Sequence, residues 1–483
     1  MNHRMIRYTL GWLLLFEALF LLAPVLTALI CREFGRVFIG FLSTMGACLL
    51  VGLLLVLRRP KNTTLYSREG FLIVAYSWIL LSLFGCLPFY ISGQIPKFID
   101  ALFETVSGFT TTGASVLSDV ESLARSILLW RSFTHWVGGM GVLVFIMAFL
   151  PLSGGQNMHI MKAESPGPSV SKLVPRVRTT ALILYSLYLA LTLAEFILLW
   201  CGEMTFFEAL NTALATAGTG GFGVRNDSMG SFGPYIQIVV AVFMLLFSLN
   251  FGSYYLALHG RFKEAFTTEV RVFLGIVVVT TTAISINVIS AQTLFPTVGD
   301  AIRHSFFTVS SIISSTGFSS TDFDLWPWGS KCLLILMMFC GACAGSTGGG
   351  LKVSRIVILF KGVLLELRTA IHPKQVKKVT MDGRVVERSE VRAIALYAVC
   401  FAGVFAVSLL VLCFQGADFT TGFSAVLASL NNIGPGLALV GPSKNYAFFP
   451  VFSKIVLIFD MLAGRLELFP MLLLFSPATW KKQ

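Results

Sequence analysis

Four stretches of this chain place small residues and glycine directly after a short apolar run. They read FIDALFETVSGFTTTGAS (98–115), FFEALNTALATAGTGGFG (206–223), VGDAIRHSFFTVSSIISSTGFSS (298–320) and DFTTGFSAVLASLNNIGPGLA (418–438). Aligned on Gly113, Gly220, Gly317 and Gly434, they recur at similar intervals. Glycine takes positive φ without steric penalty, which lets successive carbonyls turn to one side. Four such segments brought to one axis make a ring of oxygens that replaces the hydration shell of a monovalent cation. The chemistry is coordination, with no bond made or broken.

The elements that must position these glycines are set by a lipid solvent. The chain has 483 residues, 55% hydrophobic and 12% charged, where soluble domains carry about 25% charge. Ten apolar segments are long enough to span, roughly 9–30, 37–57, 71–92, 130–151, 178–201, 235–258, 271–291, 331–360, 391–415 and 453–475. The first continues too far for a signal-peptide core and reads as a retained helix. Between spans, a half-helix of about ten residues cannot cross a core of about 30 Å. It must enter and return on one side, and its irregular backbone survives only when packed in protein or lining water. The expected fold is all-α: two N-terminal helices, then four helix–pore-loop–helix repeats in pseudo-fourfold arrangement around a central pore. The expected units are 1–60 for the leading helices and 61–160, 161–262, 263–370 and 371–483 for the repeats.

Charge sets the orientation. Most of the 36 Lys and Arg, including Arg4, Arg7, Arg58 and Arg59, fall on one face. That face also takes Lys352, Arg355, Lys361, Arg368, Lys374, Lys377, Lys378, Arg384, Arg388 and Arg392. Excess basic residues stay cytoplasmic, which puts both termini there. Acidic residues, among them Glu33, Asp100, Glu104, Asp119, Glu208, Asp300, Asp324 and Asp418, map to the outer face. They form either a mouth that concentrates cations or simply loops that lack basic residues. Each half-helix then points its C-terminus, with its partial negative charge, toward mid-membrane. Four such ends favour a cation; anion transporters aim N-termini at their substrate.

Other chemistries fare worse. The net charge of +12 is scattered between apolar blocks, so no nucleic-acid face forms. GSTGGGLK (345–352) has the wrong spacing for a phosphate-binding loop and no strand before it. Cys340 and Cys343 lack the second pair or histidine that a metal site needs, and read as buried thiols. His135, His159, His259, His304 and His372 show no ligand spacing and read as packed or interfacial. No catalytic cluster is visible within the spans. Only the segment 331–360 is clearly broken, by Gly341, Gly345, Gly348, Gly349 and Gly350 with Ser346 and Thr347 between them. Arg465 sits inside the last span, where an arginine usually faces a bundle interior.

These loops, with CGACAGSTGGGLK (340–352), NNIGPGL (431–437), REGFLI (68–73), WVGGMG (136–141) and GRLELF (464–469), resemble the Trk/Ktr/HKT family of cation transporters over nearly the whole chain. The resemblance implies a gated potassium pore in the bacterial inner membrane, with filter carbonyls from Thr111, Thr112, Gly113, Thr219, Gly220, Thr316, Gly317, Ile433 and Gly434. Sodium-carrying relatives replace the first glycine with serine, so Gly113 points to potassium; a sodium-conducting or cation-coupled transporter of the same fold is the alternative. TTTGA, GTGGF, STGFS and NIGPG depart from the TVGYG filter of tetrameric potassium channels and imply a shorter one. The resemblance also implies an intramembrane gate at Gly345, Ser346, Thr347, Gly348, Gly349 and Gly350, with Arg465 beside it. It implies a homodimer docked on a cytoplasmic TrkA-like nucleotide-binding subunit, K⁺ as the transported ion, and no bound cofactor.

Overall fold

The computed structural model describes residues 2–60, 65–141, 177–291, 294–373 and 377–480. Helix α1 (His3–Phe20) runs on through Leu21 into α2 (Leu22–Ile30), and α3 (Arg36–Val56) returns beside it. Gly11 and Gly52 let α1 and α3 approach closely, since a methyl on Gly52 would meet the Gly11 oxygen at 3.0 Å. Small residues serve this purpose wherever lipid gives helices no hydrophobic reason to associate.

Four quarters follow. The first has an outer helix α4 (Ser67–Gly85) with α5 (Leu87–Ile91), a short helix α6 (Phe98–Phe109) and an inner helix α7 (Arg125–Gly139). The second has α8 (Val177–Trp200), short α9 (Phe206–Gly218), then α10 (Pro234–Ser248) and α11 (Phe251–Leu258). The third has α12 (Thr268–Ser290), short α13 (Val298–Ile313), α14 (Trp328–Met338) and α15 (Val353–Ile371). The fourth has α16 (Arg388–Phe414), short α17 (Phe419–Leu430), α18 (Val451–Arg465) and α19 (Phe469–Phe475). A hairpin of β1 (Thr380–Met381) and β2 (Arg384–Val385) joins the last two quarters, pairing Thr380 with Val385 across Asp382 and Gly383.

Among the described residues six helices, one counted across α1 and α2 and one across α4 and α5, are long and apolar enough to cross a membrane. The short helices are not: 12, 13, 16 and 12 residues make about 18–24 Å at 1.5 Å per residue. Three of them start on a side-chain cap, from Thr205, Thr297 and Asp418, which fixes where the descent begins. Proline marks the start of three inner helices: Pro234 in the first turn of α10, Pro327 and Pro450 just before α14 and α18. There its missing N–H costs nothing.

The expectation of a single broken span is corrected. α10 and α11 meet at 92°. α18 ends at Arg465, and Glu467 and Leu468 take positive φ before α19 starts. α7 stops at Gly139, and Gly141 turns at φ +80°. Breaks thus follow the inner helices of the second, third and fourth quarters, the third having the longest insert, and α7 stops at Gly139. The remainder of the expected 130–151 span, with His159 and Lys374, lies outside the described residues.

Candidate functional site

Each short helix ends the same way. Thr111, Thr219, Ser315 and Asn432 sit in the left-handed region, with φ of 56°, 55°, 56° and 54°. Each donates its N–H three residues back, to Gly108, Thr216, Ile312 and Ser429. The next residue donates five back: Thr112 to Ser107, Gly220 to Ala215, Thr316 to Ser311 and Ile433 to Ala428. This is the Schellman closure, which normally puts glycine at the left-handed position. Holding Thr, Ser or Asn there costs about 1–2 kcal/mol each, a strain characteristic of functional sites.

One residue further on, Gly113, Gly221, Gly317 and Gly434 turn at φ 80°, 75°, 83° and 94°. The alignment on Gly220 is thus one residue off. Gly220 occupies the place of Thr112, Thr316 and Ile433, and Gly221 is the counterpart of Gly113. Adjacent glycines hide this in the sequence. The helix end decides it, because α9 closes on Thr219.

The turning glycines are interlocked in a ring. A side chain on Gly113 would strike the oxygen of Gly220, one on Gly221 that of Thr316, one on Gly317 that of Ile433, and one on Gly434 that of Thr112. Each quarter touches the next and the fourth closes on the first, so the four segments surround one axis. Among the described residues no donor reaches the carbonyls of Thr112, Gly220, Thr316 or Ile433. Buried carbonyls are almost always paired, so four that meet no protein donor among the described residues stand out.

Side chains from distant parts of the chain brace this ring, and no local pattern of residues points to them. His135, fully buried, joins two quarters: its Nδ1 lies 2.7 Å from the Gly108 oxygen, and its Nε2 accepts from Phe222 N–H at 3.3 Å. That pattern fixes the neutral tautomer with the proton on Nδ1. Arg131 and Glu104 form a buried ion pair at 2.8 Å. Glu104 also accepts from Ser115 Oγ and Val116 N–H, while Arg131 donates to the Gly223 oxygen. Tyr446 donates its hydroxyl to the Gly434 oxygen at 2.6 Å, and its N–H to the Ser115 oxygen at 2.8 Å.

Beneath the ring lies the insert between α14 and α15. Gly349 N–H donates to Ser315 Oγ at 2.6 Å. A methyl on Gly348 would meet the Ser314 oxygen at 2.8 Å, and one on Gly349 the Asn431 oxygen at 2.6 Å. The insert fills the break in the second quarter: Cys343 N–H donates to the Ser248 oxygen, Thr347 Oγ1 to the Phe247 oxygen, and Phe251 N–H to the Gly345 oxygen. Two irregular segments thus satisfy one another's backbone, as lipid demands.

Arg465 closes the arrangement. It donates to the Thr347 oxygen at 2.8 Å, to the Gly139 oxygen at 2.6 Å and to the Gly138 oxygen. A cation at the freed C-terminal carbonyls of α7 is favoured by the helix dipole. Glu467 pairs with Arg355, and Asp460 accepts from Ser408 at 2.7 Å. Lys352 Nζ donates to the Gly348 oxygen, and Glu269 receives Ala344 and Ser354 N–H at 2.8 and 3.0 Å. A cavity of about 80 Å³ lies here, lined by Trp78, Gly345, Ser346, Gly348, Lys352 and Arg465. It has room for several waters. Cys340 and Cys343 carry free thiols, and among the described residues no His, Cys, Asp or Glu cluster fits a metal.

The outer acids are largely committed. Asp100, Glu104, Glu208, Asp300 and Asp324 each pair with a base, and Asp418 caps α17. Asn226 bonds to Asp119 and holds its carboxyl below the usual range. These groups brace the outer loops, and the structure favours that role over an open negative mouth.

Fold and site together define a membrane pore built by four unequal copies of one unit. The model of the TrkH family, described as a cation transport protein, matches residues 38–482. The Trk system potassium uptake protein TrkH of Salmonella typhimurium is 37% identical, with 100% of both chains covered. Its counterpart in Vibrio parahaemolyticus is 36% identical at the same coverage, and TrkG of Escherichia coli is 31% identical over 99% of each chain. The crystal structure of the potassium transporter TrkH from Vibrio parahaemolyticus is similar with TM-score 0.89, 34% identity and full coverage of both chains. The chain belongs to the TrkH family of cation transport proteins.

Proposed function

We propose that this chain is the potassium-conducting subunit of a bacterial uptake system and carries out no catalysis. The observation that carries this reading is the closed ring of carbonyls from Thr112, Gly220, Thr316 and Ile433, donor-free among the described residues, each abutting the turning glycine of the preceding quarter. Potassium dehydrates readily enough to accept such ligands in place of water. Thr111, Thr219 and the glycines at 113, 317 and 434, with Gly221 in the second quarter, complete the coordinating segments. The potassium uptake proteins named above, similar over their full length, support the choice of ion.

The insert at Gly345, Ser346, Thr347, Gly348, Gly349 and Gly350 is the gate, and Arg465 is its latch. Conduction requires the insert to leave Ser315 and Asn431, and Arg465 holds it by Thr347. The membrane potential then drives accumulation with about 2.3 kcal/mol per charge at 100 mV. We place both termini on the cytoplasmic side of the inner membrane, with the repeats divided near residues 60, 160, 262 and 370. A homodimer on a TrkA-like nucleotide-binding subunit, docked at the basic 352–392 face, would supply regulation, since this chain shows no nucleotide motif.

The test is rescue of a potassium-uptake-deficient strain at low external K⁺ with the partner subunit present. It is paired with ion flux into liposomes holding the purified protein. Growth and K⁺ flux exceeding Na⁺ flux are expected. Membrane insertion without rescue overturns the potassium assignment, and equal or greater Na⁺ flux establishes the sodium-conducting alternative.

A further inference from the structure

The ring is fourfold in backbone, but one of its oxygens is treated differently. At the turning-glycine level, no donor among the described residues reaches the carbonyls of Gly113, Gly221 or Gly317. The Gly434 carbonyl accepts the Tyr446 hydroxyl at 2.6 Å. That hydroxyl comes from a residue 2% exposed, whose ring lies 5.6 Å from Phe103 of α6 and 5.9 Å from Phe449. Its own N–H is bound to Ser115, just past the first quarter's glycine. Tyr446 is therefore held at the seam between the fourth and first quarters, its backbone by Ser115 and its hydroxyl by Gly434.

We propose that Tyr446 is a positioning residue that sets ion discrimination at this level of the filter, by binding the Gly434 carbonyl from behind and leaving a three-sided site. The inference rests on the filter reading above. A carbonyl that accepts a short hydrogen bond presents a weaker field to an ion, and the number and field strength of such oxygens govern selectivity. With three full ligands and one weakened, an ion at this level keeps water on the fourth side. A partly hydrated ion is discriminated less sharply than one held by four protein oxygens.

The experiment compares K⁺ and Na⁺ flux in liposomes for wild type, Tyr446→Phe and Gly113→Ala. Tyr446→Phe keeps the ring and removes only the donor. Its K⁺:Na⁺ ratio is expected to rise by about two- to tenfold, the range a single neutral hydrogen bond spans. An unchanged or lower ratio overturns the proposal. Fluorinated tyrosine at position 446, a stronger donor of nearly the same shape, keeps the test open if the phenylalanine variant does not fold, and its ratio is expected to fall. A merely structural hydroxyl would move stability and not the ratio. If Gly113→Ala alters the ratio while both changes at 446 do not, this proposal alone fails. If Gly113→Ala also leaves it unmoved, the filter reading fails with it.

Discussion

The glycine ring proposed as the filter and the ends of the inner helices each involve all four quarters, yet they use repetition in opposite ways. In the filter, all four quarters share one closure, one left-handed residue and one turning glycine, and each abuts its neighbour in sequence. At the breaks, each quarter is interrupted differently: α7 stops at Gly139, α10 bends through 92°, α14 gives way to a glycine insert, and α18 stops at Arg465. A cation needs ligands from all sides at once, so one defective quarter spoils the ring. A gate needs one element that moves and fixed groups to hold it, so the quarters are free to specialise.

The largest expected effect tests the equality of the four filter quarters. Alanine at Gly113, Gly221, Gly317 or Gly434 adds left-handed strain and a clash with backbone that cannot retreat, and should lower K⁺ flux by about a hundredfold. Parallel losses in all four variants support a closed ring. A tolerated alanine at any one position breaks the comparison there.

The gate should respond in the opposite direction. Arg465→Gln removes charge-assisted bonds to Thr347, Gly138 and Gly139, each class of bond worth about 1.5–3 kcal/mol. Basal flux without the nucleotide-binding partner is expected to rise about tenfold, read by rubidium uptake into liposomes. Lower flux would show that Arg465 supports conduction instead of holding the insert.

Ion removal offers a smaller test. Exchanging K⁺ for choline leaves the ring carbonyls without ligand, and the melting temperature of the purified protein should fall by several degrees, as linkage predicts for loss of a site saturated a hundredfold (~2.7 kcal/mol). Arg465→Gln should keep this shift, whereas Gly221→Ala should lose it.

The smallest effect concerns the strained residues. Thr219→Gly relieves a left-handed threonine whose hydroxyl, among the described residues, bonds to the preceding carbonyl, that of Gly218, at 2.6 Å. Stability should rise by up to about 1 kcal/mol, seen as a higher melting temperature. Asn432→Gly should not gain, because its amide also ties Thr112 to Met461.

Much of this was legible in the residues. The span at Thr268–Ser290 and the re-entrant position of Phe98–Phe109 follow from length and apolarity, and Gly348 and Gly349 stand out in a segment that could not be continuous helix. Two features were misread for local reasons, and a third was left open. The GTGGF segment offers two adjacent glycines, and only the end of α9 assigns the turn to Gly221. The break at Leu249–Asn250 carries no run of glycines, so an apolar pattern passes over it, and the short cluster of Gly138, Gly139 and Gly141 sits in an apolar run long enough to read as one span. The sequence left a mouth and bland loops equally open for the outer acids because their bases, such as Arg131 for Glu104 and Lys454 for Asp100, lie on other elements.

The sequence by itself determined the solvent, the short length of the re-entrant helices, and the fourfold recurrence of the glycine loops. Those depend on chain length against bilayer thickness and on backbone sterics, which act within a few residues. Tertiary structure alone decided the register of the second loop, the pairing of each glycine with the next quarter's oxygen, and the partners of Arg465, His135 and Tyr446. These are contacts across space between residues far apart in the chain, and no local pattern encodes which of many buried polar groups will meet.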